Sequence, residues 1–126
     1  MANHDAIVLS RIAKVDLKQG YGVVKDGVNT VDLPAADNEL CAGIANYDAA
    51  AGQHVGVVKN GQFQFAVAGA AIADGKEVIL DDTGRFITLP TSAGTYNVVG
   101  VAQEVASAAG KLFELVIQQR SVFIAA

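Results

Sequence analysis

The chain between residues 49 and 118 alternates short apolar and polar runs of β-favouring residues with glycine-containing turns. Turn signals recur about every eight to twelve residues, a spacing typical of an all-β sandwich or small barrel. No long helical period is present, which argues against a βαβ fold. We therefore predict an all-β fold, either a compact β-sandwich or a small β-barrel of short hairpin-connected strands, with an extended N-terminal arm. The clearest runs are residues 56–65, 77–89, 97–102 and 112–117.

Two turns between these runs carry strong local signals. Asn60 and Gly61 fit a type I′ turn, whose central residues both need a positive φ, and so predict a hairpin. Burial favours a three-residue loop that places Val57 beside Phe65, although a two-residue loop also fits the turn. The Asp-Asp-Thr-Gly sequence that ends at Gly84 predicts a second turn.

The N-terminal third is less regular. Ala13, Val15 and Leu17 alternate with polar residues, which is the pattern of a half-buried strand. We interpret residues 1–17 as an N-terminal arm and first strand, and residues 18–126 as a single β-rich domain. A short helix with Asp37 or Asn38 as its N-cap is an open alternative within this domain.

A six-residue segment near the start, GVVKDG at residues 22–27, is repeated as GVVKNG at residues 56–61. Both copies end in Asx-Gly, so both predict a tight turn. Two similar hairpins explain the repeat more simply than an internal duplication.

Composition narrows the classes of function. The chain has 126 residues, enough for one domain, and a net charge of −4, which argues against a general nucleic-acid partner. No apolar stretch approaches the roughly 20 residues that span a bilayer, and the N-terminus lacks the features of a secretion signal, so we expect no membrane partner and synthesis in the cytoplasm. Only 17% of residues are charged, against about 25% in an average domain, so another chain is expected to cover some apolar surface.

Reactive side chains are few. His4 lies in the polar tip and His54 precedes a strand, while Cys41 lies in an apolar segment typical of a buried small hydrophobe. Asp81 and Asp82 are explained as turn formers, and three Cys and His residues in total are too few for a structural zinc site. We therefore expect no catalytic residue, no metal site and no cofactor. A carboxylate pair brought together by the fold stays an open alternative.

The two ends are the better candidates for contacts with other chains. The apolar residues close to the C-terminus would be costly to expose, so they pack either in the domain's own sheet or against another protein. Both possibilities are open. The candidate capsid or inter-subunit interface residues are Asn3, His4, Ile7, Val8, Leu9, Val122, Phe123 and Ile124.

Residues 45–118 resemble a known family. The segment AAIADGKEVILDDTGRF at residues 70–86 is followed by VVGVA at 98–102 and AAGK at 108–111. This order of strand, Asp-x-Thr-Gly turn, strand and Val-Gly-Val-Ala segment is similar to that of the capsid decoration (cement) proteins of tailed bacteriophages. The resemblance carries no catalytic residues.

The resemblance implies a structural virion protein that binds the outer surface of the expanded capsid and stabilises it against the pressure of packaged DNA. The implied partner is the major capsid protein, and the implied assembly is a homotrimer at local three-fold positions on the capsid exterior, made in the host cytoplasm. The N-terminal segment would extend onto a neighbouring subunit by strand addition.

Two alternatives belong to other classes. The first is another β-rich virion module, associated with a tail or fibre, that binds a receptor or glycan. The second is a small β-barrel enzyme that uses a carboxylate pair.

Overall fold

The computed structural model describes residues 7–125, apart from the side chain of Gln64. This part of the chain forms strands and turns without a helix, so the predicted all-β fold is confirmed. No helix there is long and apolar enough to cross a membrane. The strands are β1 (Val8–Ala13), β2 (Gly22–Lys25), β3 (Thr30–Asp32), β4 (Gly43–Ala45), β5 (His54–Val58), β6 (Gly61–Val67), β7 (Glu77–Leu80), β8 (Phe86–Thr88), β9 (Gly94–Ala102) and β10 (Leu112–Ile124).

The first five strands close into a barrel in the order β1-β3-β2-β4-β5. β1 pairs parallel with β3 and antiparallel with β5, so the first strand lies between two others. The barrel interior is filled by residues at alternate strand positions, because successive side chains on a strand point to opposite faces. Prominent among them are Val23, Val31, Val55 and Val57.

The last five strands form an antiparallel sheet in the order β6-β10-β9-β7-β8. Its buried face packs on the outside of the barrel, where Ile44 and Val58 join the same core as Phe86 and Phe113. The two phenylalanine rings meet edge to face with centroids 6.2 Å apart, a favourable arrangement for aromatic pairs. The barrel therefore has a core of its own and shares a second core with the sheet.

Close backbone contacts join the barrel to the sheet. The Val67 N–H donates to the Gly20 carbonyl at 3.1 Å, and the Gly22 N–H donates to the Gly84 carbonyl at 2.7 Å. A Cβ at Gly22 would lie 2.3 Å from Leu80 Cδ2, so a larger residue would have to displace this buried leucine side chain.

The turn that ends at Gly84 is confirmed. It joins β7 to β8, and Gly84 has a φ of +93°. Asp81 Oδ1 accepts hydrogen bonds from the Thr83 N–H at 2.8 Å, the Thr83 hydroxyl at 2.7 Å and the Arg85 N–H at 2.9 Å. The aspartate therefore acts as a turn former, as its sequence context indicates.

The predicted hairpin at Asn60 and Gly61 is wrong. β5 pairs with β1 and β4 in the barrel, and β6 pairs with β10 in the other sheet. Both edges of β5 are therefore occupied, and the chain crosses from one sheet to the other at this point. The backbone of Ile7 takes part, because its N–H donates to Asn60 Oδ1 at 2.7 Å and its carbonyl accepts from the Lys59 N–H at 2.8 Å.

The other copy of the repeat does form a hairpin. β2 pairs antiparallel with β3 across the turn that contains Asp26 and Gly27. In the preceding segment, Ala13 and Leu17 are buried while Lys14 and Asp16 are exposed, which confirms the predicted alternation. The regular strand nevertheless ends at Ala13. The division at residue 17 stays a prediction.

Candidate docking surface

Within residues 7–125, the C-terminal part of β10 pairs with one neighbouring strand instead of two. Up to Ile117 it has described pairings with both β6 and β9, and beyond that residue with β9 alone. The register with β9 shifts between Ile117 and Arg120, which marks a β-bulge that changes the local twist. Beyond the shift, residues 120–124 lie opposite residues 94–98. We call these two paired segments the ribbon.

The ribbon has two unequal faces. Val122 and Ile124 are half-buried, and Ile124 lines a cleft of about 560 Å³ beside residues 75–77 and 88–91. Phe123 points to the opposite face, because its side chain alternates with theirs along the strand. Its side chain is 74% exposed. Complete burial of a phenylalanine is worth about 1.5–3 kcal/mol, so a partner that covered Phe123 would gain a large part of that free energy.

An ion pair ties the ribbon to the body of the sheet. Arg120 Nε donates to Glu77 Oε2 at 2.8 Å, and Arg120 Nη2 contacts the same oxygen. Glu77 lies on β7, next to β9 in the sheet. Because the arginine side chain is largely exposed, this pair contributes at most about 1 kcal/mol. It links the first residue of the ribbon to β7.

Asn38 covers part of the free edge of β9. Its Oδ1 accepts from the Asn97 N–H at 2.7 Å, and its Nδ2 donates to the Thr95 carbonyl at 2.9 Å. Its own N–H donates to the Leu80 carbonyl at 2.9 Å. Asn38 has a φ of +70°, a left-handed conformation that asparagine adopts more readily than most residues. The segment around it is a turn, so the alternative of a short helix at this point is wrong.

The N-terminal candidates lie in the barrel, in a different sheet from the ribbon. Ile7 and Val8 are 49% and 52% exposed, while Leu9 is half-buried on the inward side of β1. Val8 lies beside Tyr47 above Gly56, where an added Cβ would be 3.2 Å from the valine and 3.3 Å from the tyrosine ring. Val8 and Tyr47 therefore form an exposed apolar pair on the barrel. Asn3 and His4 lie outside the described residues.

The two groups of candidates are thus not joined into one site by strand pairing. The C-terminal residues Val122, Phe123 and Ile124 pair with β9, whereas the N-terminal strand pairs with β3 and β5. The C-terminal segment is paired in its own sheet and leaves Phe123 uncovered, so a contact of Phe123 with another protein stays a prediction.

Three residues near these surfaces were not among the candidates. Asn38 and Leu40 flank the ribbon, where Leu40 is largely exposed and lines a cleft of about 270 Å³ with residues 97–98 and 119–121. Tyr47 accompanies Val8. The sequence signal for Leu40 and Tyr47 was an apolar residue inside a polar or glycine-rich stretch, which is too common to single out a site.

The reactive side chains are placed as follows. Cys41 is buried, its Sγ donates to the Gly43 carbonyl at 3.2 Å, and burial raises the pKa of its thiol to about 12, so the interpretation as a buried small hydrophobe is confirmed. His54 is exposed at the start of β5, with its Nδ1 3.4 Å from the Ser10 hydroxyl. Within residues 7–125, no carboxylate forms an ion pair with this ring, and no group of three or more His, Cys, Asp or Glu residues is arranged to hold a metal ion.

Comparisons with known proteins relate the chain to phage virion components. A comparison with curated protein sequences gives no match. Among solved structures, the chain is similar to the N base of the head fibre protein gp8.5 of bacteriophage phi29, with a TM-score of 0.68 and 22% sequence identity over 90% of this chain and 94% of that one. At this identity the likeness shows the fold. A family model described as phage cement protein matches residues 1–118. The chain therefore belongs to the phage cement protein family.

Proposed function

We propose that this chain is a non-enzymatic decoration protein that binds the outer surface of the expanded capsid and stabilises the shell. The observation that carries the proposal is the ribbon, which presents Phe123 to solvent from a strand that is fixed at its other end in the sheet core. An exposed apolar side chain on a rigid strand favours binding, because little conformational entropy is lost when a partner covers that side chain. The family membership supports the same conclusion.

The exposed pair of Val8 and Tyr47 supplies a second apolar surface on the barrel. We propose that it contacts a neighbouring copy of the chain, in a homotrimer at a local three-fold position. Ile7 would lie at the edge of this contact, whereas Leu9 faces the inward side of β1 and would take no part in it. Many copies on one shell would add their small contacts through multivalency, so modest single contacts would suffice to reinforce the capsid.

The proposal is tested by co-sedimentation with shells of the major capsid protein encoded alongside this chain. Purified protein is mixed with expanded empty shells and, in parallel, with unexpanded shells, and the bound fraction and the shell melting temperature are measured. We expect binding to expanded shells, a raised melting temperature, and sedimentation of the free protein at three times the 13.0 kDa chain mass. Equal binding to both shell forms, or none, would contradict the decoration function.

A second candidate function is a base for a capsid-attached fibre or another adsorption module. The similarity to the N base of a phage head fibre favours it, since that protein has the same fold. Here the ribbon would hold the fibre or receptor-binding part and the barrel would meet the capsid. Binding to host cells or to cell-surface glycans, together with no effect on shell melting, would favour this function over reinforcement.

A further inference from the structure

Three cationic side chains meet at the open end of the barrel. A cleft of about 620 Å³ has an apolar floor formed by Leu9, Val31, Ala42 and Val57. Its rim carries Arg11, Lys25 and Lys59. We call this cleft the barrel mouth. The three cations are a third of the nine Lys and Arg residues in a chain whose net charge is −4, so the mouth differs in sign from the molecule as a whole.

The strand pattern places these cations at the mouth. Because side chains alternate between the two faces of a strand, a residue two positions from a core residue points to the same side. Arg11 on β1, Lys25 on β2 and Lys59 just after β5 each stand in this relation to a residue of the barrel core. The corresponding core residues are Ala13, Val23 and Val57.

No counter-charge within residues 7–125 balances the mouth. Its lining contains no Asp or Glu, and none of the three cations forms an ion pair there. Among the described residues, the acceptors of Arg11 Nη1 are two neutral oxygens, the Ser10 carbonyl at 2.9 Å and Asn29 Oδ1 at 3.3 Å.

Two acidic residues are sequence neighbours of residues that line the mouth, but they face a different cation. Asp26 Oδ2 lies 3.2 Å and Asp32 Oδ2 4.0 Å from Lys14 Nζ, which is not part of the mouth. Three like charges that share one cleft repel each other, and a bound anion would relieve this repulsion.

We propose that the barrel mouth binds an acidic segment of a partner protein, with its carboxylates on the cationic rim and an apolar side chain on the floor. Arg11 is suited to carboxylates because its guanidinium can bind one through two parallel hydrogen bonds. A nucleic acid fits less well, since the lining has no aromatic ring on which a base could stack and the molecule is negatively charged overall. The inference rests on the mouth alone and holds whether or not the ribbon is the surface that meets the shell.

The test uses a capped peptide, acetyl-Leu-Asp-Leu-Asp-Leu-amide, and the same peptide with Asn in place of Asp. Binding to the full chain is followed by amide chemical shifts. We expect the acidic peptide to shift the amides of residues 9–11, 25–31 and 57–59, and the affinity to fall as salt is added. The Asn peptide should bind at least tenfold more weakly. No binding of the acidic peptide at about 1 mM, or equal binding of both peptides, would overturn the proposal.

Two triple variants separate the mouth from general charge. R11Q/K25Q/K59Q should lower the affinity for the acidic peptide at least tenfold, whereas K18Q/K76Q/K111Q removes the same charge elsewhere and should change it less than twofold. Equal losses in both variants would overturn the proposal. If the first triple variant does not fold, K25Q/K59Q replaces it, with K18Q/K111Q as its control. Binding of inorganic tripolyphosphate at the mouth without peptide binding would overturn the peptide assignment.

Discussion

Asn97 donates two hydrogen bonds to Asn38, although the two residues lie 59 positions apart along the chain. The Asn97 N–H donates to Asn38 Oδ1 at 2.7 Å, and Asn97 Nδ2 donates to the Asn38 carbonyl at 2.9 Å. The pair closes part of the free edge of β9, so the turn at residue 38 takes the place of a neighbouring strand. The stability of the ribbon should therefore depend on Asn38.

Two substitutions of Asn38 distinguish the stability that comes from its side-chain hydrogen bonds from the stability that comes from its backbone conformation. Asn38→Ala removes two side-chain hydrogen bonds and puts alanine at a positive φ, so we expect a loss of about 2–4 kcal/mol in the free energy of unfolding. Asn38→Gly accepts the backbone conformation and should lose only about 1–2 kcal/mol. Urea unfolding measures both, and amide exchange should quicken at Asn97 in each variant. An unchanged exchange rate at Asn97 would show that the side chain does not hold the edge.

Phe123 should matter for docking and little for folding. Because its side chain is largely exposed, Phe123→Ser should change the free energy of unfolding by less than about 1 kcal/mol. The affinity of the Phe123→Ser variant for expanded shells should fall at least tenfold, a loss of about 1.4 kcal/mol per copy. Val105→Ser is the matched control, since Val105 is 63% exposed at the other end of the β9–β10 pair. Equal losses of shell affinity in the two variants would argue against a role specific to the ribbon.

Gly100 should be essential for the pairing from which the ribbon extends. A Cβ at this position would lie 2.0 Å from the Val116 carbonyl oxygen on β10, so Gly100→Ala must force the two strands apart. We expect a loss of about 3 kcal/mol or more in the free energy of unfolding. Gly110 has a φ of +85° and open space around it, so Gly110→Ala should cost only about 1–2 kcal/mol. Thermal unfolding of the two variants measures the difference, and a milder effect at Gly100 than at Gly110 would contradict the close approach.

The buried thiol predicts a loss of stability in alkaline solution. The pKa of Cys41 is raised by burial from an ordinary value of 9.0 to about 12, so the unfolded chain releases this proton at a lower pH than the folded chain. Stability from this group is present below pH 9 and is lost as the pH rises toward 12. Between pH 8 and pH 10 the natural chain should lose about 1.4 kcal/mol more than Cys41→Ala. Parallel pH dependences in the two proteins would mean that the thiol is accessible to water.

Features with local causes could be predicted from the sequence. The turn at Asp81 and Gly84 depends on the aspartate's own hydrogen bonds and on one glycine, so the residues alone predict it. The alternation around Ala13 and Leu17 likewise reports burial directly, because a strand has a period of two. The sequence has no apolar spacing of the helical kind, and because that spacing reports local structure, its absence indicated the all-β class.

Features with distant causes could not be predicted. Asn60 and Gly61 carry a strong hairpin signal, but pairing there is blocked because β1 and β4 already occupy both edges of β5. The role of Asn38 depends on a strand far along the chain. For Phe123, the sequence left open whether it packs internally, and the answer depends on how β10 continues beyond its last pairing with β6.

Amide hydrogen exchange of the protein bound to expanded shells would show whether the ribbon docks on the capsid. We expect binding to slow exchange in the ribbon, at residues 94–98 and 120–124, while the loop at residues 103–111 exchanges as in the free protein. Unchanged exchange in the ribbon, with new protection confined to other surfaces, would contradict the claim that the ribbon docks on the shell.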